Sequence, residues 1–419
     1  MGLTATATPP QYAASVAPTR PWRVVLLLGS LIALGPLSID LYLPALPDLT
    51  DDLSASPSSV QLTLTGILVG LGLGQLLIGP LSDIYGRKRP LLAGIAVNVV
   101  TALLCAFAPT ILVLDILRLV QGVGAAAASV VAMAVVRDLF TGRAAAAVIS
   151  RLIMVMGLAP VAAPSLGSAV LAVGSWRMVF VVLAGIGILL GLVATVGLKE
   201  TLPPERRAAP GLRTTLRGYG VLLRDPYLVG FMTIASLTMA AVFAYVSGAS
   251  FVLQDGFGLD ERTFGLLFGV GAIGLIVSSQ VNVVLLRRFG PGAILRTALT
   301  VAALSGAVLL VNAVTGLGGL FGIMVPVWVV VAMTALCGPN AAALALAQHG
   351  ERAGAAAALL GAAQFAAGAA IAPLTGLGEA GSAVPMAVTM AGALLVAAVL
   401  VRLVLRPAAV RQSPAVEAA

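Results

Sequence analysis

Runs of about twenty apolar residues, separated by short polar stretches, repeat along the chain from about Trp22 to Arg406. A helix of that length crosses a hydrocarbon core ~30 Å thick at about 1.5 Å per residue. The pattern predicts twelve such helices, at 23–44, 60–81, 91–109, 111–136, 147–172, 175–198, 227–253, 263–286, 291–314, 320–347, 353–377 and 383–405. The one long polar stretch runs from Lys199 to Pro226, carries Pro203, Pro204 and Pro210, and falls at the midpoint. It reads as a linker, 199–226, between an N-terminal half, 23–198, and a C-terminal half, 227–406. Residues 1–22, rich in Thr, Ala and Pro, read as a disordered cytoplasmic tail rather than a signal peptide, and 407–419 as a second cytoplasmic tail.

The polar breaks carry charge of alternating sign. With the amino terminus inside, the inner segments hold Arg20 and Arg23; Arg87, Lys88 and Arg89; Arg137, Arg143 and Arg151. After these come six cations of the linker; Arg287, Arg288 and Arg296; Arg352; and Arg402, Arg406 and Arg411. That is 21 of the 24 basic residues, with only Arg177 and Arg262 outside and Arg118 within a span. Lys and Arg are retained on the cytoplasmic side, so the bias fixes orientation and favours an even number of spans. The outer breaks are acidic: Asp48, Asp51 and Asp52 follow the first span, and Asp255, Asp260 and Glu261 follow the seventh.

Composition excludes the alternatives. Of 419 residues, 60% are hydrophobic and 10% charged, with a mean hydropathy of +1.08. A soluble surface needs about 25% charged residues. The net charge of +8 therefore reflects topology, not a nucleic-acid partner. Cys105 and Cys337 lie far apart in apolar runs and read as packing residues, neither disulfide nor metal ligand.

The halves echo each other. Arg143-Ala-Ala-Ala-Ala recurs in outline at Arg352-Ala-Gly-Ala-Ala, and Ala163-Pro164-Ser165-Leu166-Gly167 at Ala372-Pro373-Leu374-Thr375-Gly376, both 209 residues on. Parallel six-helix repeats are one known transporter architecture.

Four stretches carry candidate chemistry. The break between the second and third spans reads Gly79-Pro80-Leu81-Ser82-Asp83-Ile84-Tyr85-Gly86-Arg87-Lys88-Arg89. Basic residues alone would be a topology anchor. Asp83 set before Gly86-Arg87 suits a charge lock between helix ends. The fourth span holds Asp115, Arg118, Gln121 and Gly122 on one face. An arginine about seven residues into a span is costly, and is either a structural ion pair with Asp115 or a functional group. The fifth span has Gly157, Pro160, Pro164 and Gly167, a bent helix with a small-residue face. Asp40 stands about one turn from the expected end of the first span, either a solvated interfacial carboxylate or a proton site.

These stretches resemble the major facilitator superfamily. Gly79, Leu81, Asp83, Gly86, Arg87 and Lys88 match its loop signature G-x-L-x-D-x-x-G-R-K/R, with Ile84 where many members have a basic residue. Arg118, Gln121, Gly122 and Ala125 are similar to its R-x-x-Q-G-x-x-A element, whose arginine is implicated in proton coupling. The fifth span is similar to the antiporter element G-P-x-x-G-G, with Ala163 and Ser168 as departures. Leu37–Pro47, Gln61–Thr65, Gly338-Pro339-Asn340 and Gln364-Phe365 resemble the Bcr/CflA drug-efflux subfamily, the bicyclomycin and chloramphenicol exporters. The resemblance implies an all-α polytopic protein of the major facilitator fold in a bacterial cytoplasmic membrane. It implies a monomer that exchanges protons for a small, largely apolar drug, without any cofactor. Proton coupling would fall to Asp40 and Arg118, with Asp115 next. Tyr42, Gln61, Gln121, Tyr245, Asn340 and Gln364 would line the substrate cavity.

Two other readings compete. An importer of an endogenous metabolite would use the same fold. A membrane transferase would need clustered carboxylates for a metal or base, and the adjacent pair Asp51-Asp52 has no cation expected nearby. No G-x-x-x-x-G-K-[ST] loop occurs, so ATP is not the expected energy source. The lone His349 falls in an inner loop, where a coupling role is not expected.

Overall fold

A computed structural model describes residues 21–207, 212–349, 352–377, 379 and 381–405. Of the expected tails only residues 21 and 22 fall within it, and the linker is described apart from 208–211. Among the described residues, twelve helices are long and apolar enough to cross a membrane. They are α1 (Trp22–Asp52), α2 (Pro57–Tyr85), α3 (Lys88–Ala106), α4 (Ile111–Leu139), α5 (Ala147–Leu171), α6 (Trp176–Gly197), α7 (Pro226–Gly256), α8 (Glu261–Leu285), α9 (Pro291–Thr315), α10 (Gly319–Leu346), α11 (Ala353–Gly376) and α12 (Val384–Val404). Among the described residues there is no strand. The described residues of the linker hold a 3-10 turn, Pro204–Arg206, and a helix, Leu212–Leu222.

Eleven of these agree with the hydropathy reading to within a few residues. Helix α1 does not end near Pro44. Pro44 and Pro47 lack the N–H that would continue an α-helix, but each fits the first turn of a new segment. The chain therefore passes through a 3-10 turn, Leu43–Ala45, into a further helix, Leu46–Asp52. Asp48, Asp51 and Asp52 sit on that last helix and not in a loop. Asp40 moves with the correction: it lies twelve residues from the end, not one turn.

Small residues set the closest packing. Gly66, Gly70 and Gly74 put a bare stripe of α2 against α4, where a Cβ on Gly70 would overlap the Leu119 carbonyl. In lipid, where no hydrophobic effect drives helices together, such close approach supplies the van der Waals contact. Helix α3 packs on α4 and α6, and α7 on α10, α11 and α12. Across the halves the main contacts are α2 with α11 and α5 with α8.

The buried core shows how the halves meet. Toward the end that carries Asp52 and Ser58, one apolar cluster runs through both halves, from Leu43 and Leu64 to Phe243 and Met390. Toward the linker end the core divides. One cluster lies in the N-terminal half around Leu91 and Val135, and another in the C-terminal half around Phe231 and Leu299. Both cysteines are fully buried and free.

Candidate functional site

Arg118 is 0% exposed, deep in the N-terminal half. Its Nη1 donates to the Ser38 carbonyl at 2.8 Å and to Gln121 Oε1 at 2.7 Å. Its guanidinium lies 4.1 Å from the Tyr42 ring centre and 5.6 Å from that of Phe180. Tyr42 is fixed in turn by a 2.9 Å hydrogen bond between its hydroxyl and that of Thr63. A cation in a dry interior needs such compensation: two acceptors and two aromatic faces offset part of its desolvation. Arg118 Nε and Nη2 and Asp115 Oδ1 have no partner, and no ion pair within 4.0 Å joins Arg118 to Asp115. The expected structural pair is not formed.

Asp40 is 5% exposed and has no hydrogen bond or ion pair. Ser38 and Tyr42, one turn apart, share the face of α1 that meets Arg118. Asp40 stands two residues from each and so on the opposite side. Three residues on, the turn Leu43–Ala45 touches α7 and α8 of the C-terminal half. The depth of Asp40 matches that of Arg118, but no bond brings the two side chains together.

The other expected cavity residues divide by partner. Tyr42 and Gln121 belong to the Arg118 cage. Gln61 is buried between the halves, its Nε2 donating to the Ser247 carbonyl of α7 at 3.3 Å. Asn340 is committed within the C-terminal half, donating to Asn282 Oδ1 and to the Leu336 carbonyl, each at 2.7 Å. Gln364 is half-buried on α11. Tyr245 is buried and stacked on Phe268 of α8, ring centres 5.1 Å apart.

The loop signature forms a charge cluster at the linker end. Gly86 takes φ +86°, which favours glycine, and turns the chain from α2 into α3. Arg87 Nη1 meets Asp83 Oδ1 at 2.5 Å, and Arg87 Nε meets Asp138 Oδ2 of α4 at 2.8 Å. Lys88 Nζ donates to the Thr195 carbonyl at 2.7 Å, and Gly79 gives its carbonyl to Ser82. Glu200, where the linker begins, accepts from the backbone N–H groups of Arg87 (2.8 Å), Lys88 (3.2 Å), Thr201 and Leu202 (3.0 Å each). Desolvation pushes the Glu200 carboxyl up, but these donors outweigh it and hold the group below its ordinary range. Asp138 and Glu200 escaped the sequence reading, because nothing in their neighbours' spacing marks them.

On α5, Gly157 and the half-buried Pro160 lead to Pro164 and Gly167. A Cβ at Gly167 would strike the Leu41 carbonyl, so this glycine admits the break in α1. Ser168, a departure from the antiporter element, crosses between the halves: its Oγ donates to the Glu261 carbonyl at 2.7 Å. Further links on the same side run from Gln254 to the Pro44 carbonyl (3.1 Å), Thr65 to Ala369 (2.9 Å) and Ser58 to Pro373 (3.4 Å). Asp52 has a cation after all. Arg177 pairs with it at 2.5 Å and Trp176 Nε1 donates to it at 2.9 Å, which removes it from any acidic cluster. His349 Nε2 lies 3.1 Å from Asp225 Oδ2, at the start of α7. Among the described residues no group of His, Cys, Asp and Glu could hold a metal ion. A cavity of about 440 Å³ opens on the side of the N-terminal half, lined by Tyr85, Arg89, Gly94 and Val123, away from Asp40 and Arg118.

Comparison with known proteins adds an independent line. The profile of the Major Facilitator Superfamily matches residues 26–373. A bicyclomycin resistance protein homolog of Haemophilus influenzae is 33% identical over 376 residues, covering 90% of this chain and 94% of that one. A chloramphenicol resistance protein of Pseudomonas aeruginosa is 32% identical over 333 residues, 77% and 78% of the two chains. Among solved structures, a D-xylose–proton symporter superposes with a TM-score of 0.72 over 91% of this chain and 97% of its own, at 15% identity. That likeness concerns the fold alone.

Proposed function

The chain belongs to the major facilitator superfamily, within its Bcr/CflA drug-efflux group, and on that premise we propose that it exports small, largely apolar drugs in exchange for protons. It is a multi-pass transporter of the inner membrane. In this reading the basic linker end faces the cytoplasm, as retention of Lys and Arg inside requires. The divided core there is then the opening through which a drug enters, and the single core opposite is the closed outer side. One chain holds both halves, so a monomer suffices.

The observation that carries the coupling is Asp40. It is a buried carboxylate without a partner, at the depth of the only buried intramembrane arginine among the described residues, and three residues before the turn of α1 that touches the C-terminal half. In lipid such a group is costly and marks an ion pathway by default. The proposed cycle alternates its proton and the drug. Protonated Asp40 tolerates the dry, closed state. A drug entering from the linker side displaces the proton to that side before the halves rock, and a proton from outside reloads the carboxylate as the drug leaves there. Arg118 acts as a positioning residue, holding Ser38 and Tyr42 and so the turn of α1 that presents Asp40. Asp115, close to Arg118 on the same helix, is the reserve proton carrier.

The test is efflux of a compound panel from cells expressing the chain, with and without a protonophore. Protonophore-sensitive export of chloramphenicol or bicyclomycin is expected. Uptake, or export that ignores the protonophore, would refute the proposal. Asp40→Asn should retain drug binding yet lose efflux driven by a pH gradient, whereas undiminished gradient dependence would shift the role to Asp115.

A further inference from the structure

Many buried polar side chains among the described residues are paired, and ten buried side-chain atoms have no partner. The Tyr42 and Tyr219 hydroxyls have partners at 2.9 and 3.0 Å, and the Trp176 indole donates to Asp52. Within the C-terminal half, Asn340 pairs with Asn282, and Ser247 with Thr375 at 2.9 Å. Two of the ten are aromatic donors that come together between α7, α8 and α10. The Tyr245 hydroxyl and Trp328 Nε1 are both buried and neither has a partner. Leaving such groups unsatisfied costs free energy, and in a native interior it calls for an explanation.

The two atoms converge. Seen from Gly271 of α8, a Cβ would stand 3.4 Å from Trp328 Nε1 and 3.8 Å from the Tyr245 hydroxyl. It would also stand 3.0 Å from Trp328 Cδ1, tighter than most Cβ contacts, so the bare glycine lets the indole lie where it does. Aromatic faces bound the place. Tyr245 lies nearly parallel to Phe268, at 13°, and Phe268 abuts Phe264 at 5.8 Å. The indole can only donate, and the phenol is free to do so. None of the side chains named here is charged, so nothing in them would offset the desolvation of a charged ligand.

We propose that Tyr245, Trp328 and Gly271 form the acceptor-reading part of the drug site. It would take an uncharged, planar compound whose carbonyl or nitro oxygen receives both N–H and O–H donors while its ring lies against Phe268. Flat aromatic walls with a few placed donors are the common build of small-molecule sites. The donors also account for selectivity, because a site with unspent donors rejects ligands that cannot satisfy them. This rests on the drug-export reading and deepens it.

The experiment uses the full chain in detergent, with radiolabelled chloramphenicol, which carries nitro and amide oxygens, as the probe in equilibrium dialysis. Tyr245→Phe and Trp328→Phe keep the rings and remove one donor each. Each should weaken binding about fivefold, as loss of one hydrogen bond does. The double variant should lose less than the product of the two if both donors serve one oxygen. Gly271→Ala, which presses on the indole, should weaken binding as well. Without ligand, Tyr245→Phe should unfold at the same temperature as wild type or higher, since it deletes a hydroxyl that has no partner. Variants that bind within twofold of wild type would overturn the proposal and leave drug export standing. A lowered unfolding temperature for ligand-free Tyr245→Phe would overturn it too, by showing a structural partner for the hydroxyl. If wild type binds but shows no protonophore-sensitive efflux, the coupling falls and the binding site stands. If wild type neither binds nor exports the probe, both readings fall.

Discussion

Arg118 was readable in the sequence as a residue out of place, but its surroundings were not. A cation seven residues into an apolar span signals expense, and Asp115 three residues away is the obvious counter-charge. The protein uses other means. It spends the carbonyl of Ser38, freed to bond sideways where α1 begins to break, with Gln121 and the rings of Tyr42 and Phe180. Backbone carbonyls and aromatic faces carry no motif, so no spacing rule reaches them. The consequence is testable. Arg118→Ala leaves Ser38 O and Gln121 Oε1 buried without a donor, at about 1–3 kcal/mol each. It should impair drug binding and efflux together and lower the unfolding temperature. Arg118→Lys restores the charge but neither the planar fork nor the stacking, and should recover little. Full recovery by lysine, measured as transport at matched expression, would mean that charge alone matters.

At the scale of elements, eleven helix boundaries followed from hydropathy, because in a bilayer length and apolarity leave no other structure. The exception, α1, failed for a stated reason: Pro44 and Pro47 are helix terminators in a soluble protein, whereas here they only re-aim the helix. That error also placed Asp40 too near the surface. The loop signature was legible as a charge lock, yet the partner that does most is Asp138, with a side chain 11% exposed against 52% for Asp83. Exposed ion pairs contribute little and buried ones a great deal once broken. Asp138→Asn should therefore harm turnover more than Asp83→Asn, by about 3 kcal/mol of local stability against less than about 1 kcal/mol. Comparable transport by the two variants would contradict this ranking. Glu200 gives the lock a pH dependence. Its folded pKa is depressed, so its contribution is whole above the ordinary carboxylate range near 4.5 and is lost as pH falls through the lowered value. Glu200→Gln should mimic the acid condition at neutral pH. Hydrogen exchange should then quicken at the amides of Arg87, Lys88, Thr201 and Leu202, and unchanged protection would free the linker from this tether.

For the whole molecule, the division into halves was legible from the linker and the 209-residue echo, but which side is shut was not. That depends on contacts between residues hundreds of positions apart, such as Ser58 with Pro373, and single polar residues in apolar spans do not name their partners. Five hydrogen bonds close the side away from the linker: from Ser58, Gln61, Thr65, Ser168 and Gln254. Each is worth about 1 kcal/mol, so removing one should change the ratio of the two states by about fivefold and not lock the protein. Gln61 is the best lever, since its Nε2 reaches the Ser247 backbone across the interface and its Oε1 has no partner to lose. Gln61→Leu keeps the bulk and deletes the link. Spin labels on cysteines at the exposed positions Ser56 and Glu379 report the opening, because Cys105 and Cys337 are fully buried and stay unlabelled. The distance distribution in lipid nanodiscs should shift toward longer separations in Gln61→Leu. A drug that enters from the linker side should partly reverse the shift. A distribution identical to that of the labelled parent would show that packing of α2 on α11 and α5 on α8, and not these hydrogen bonds, sets the balance between states.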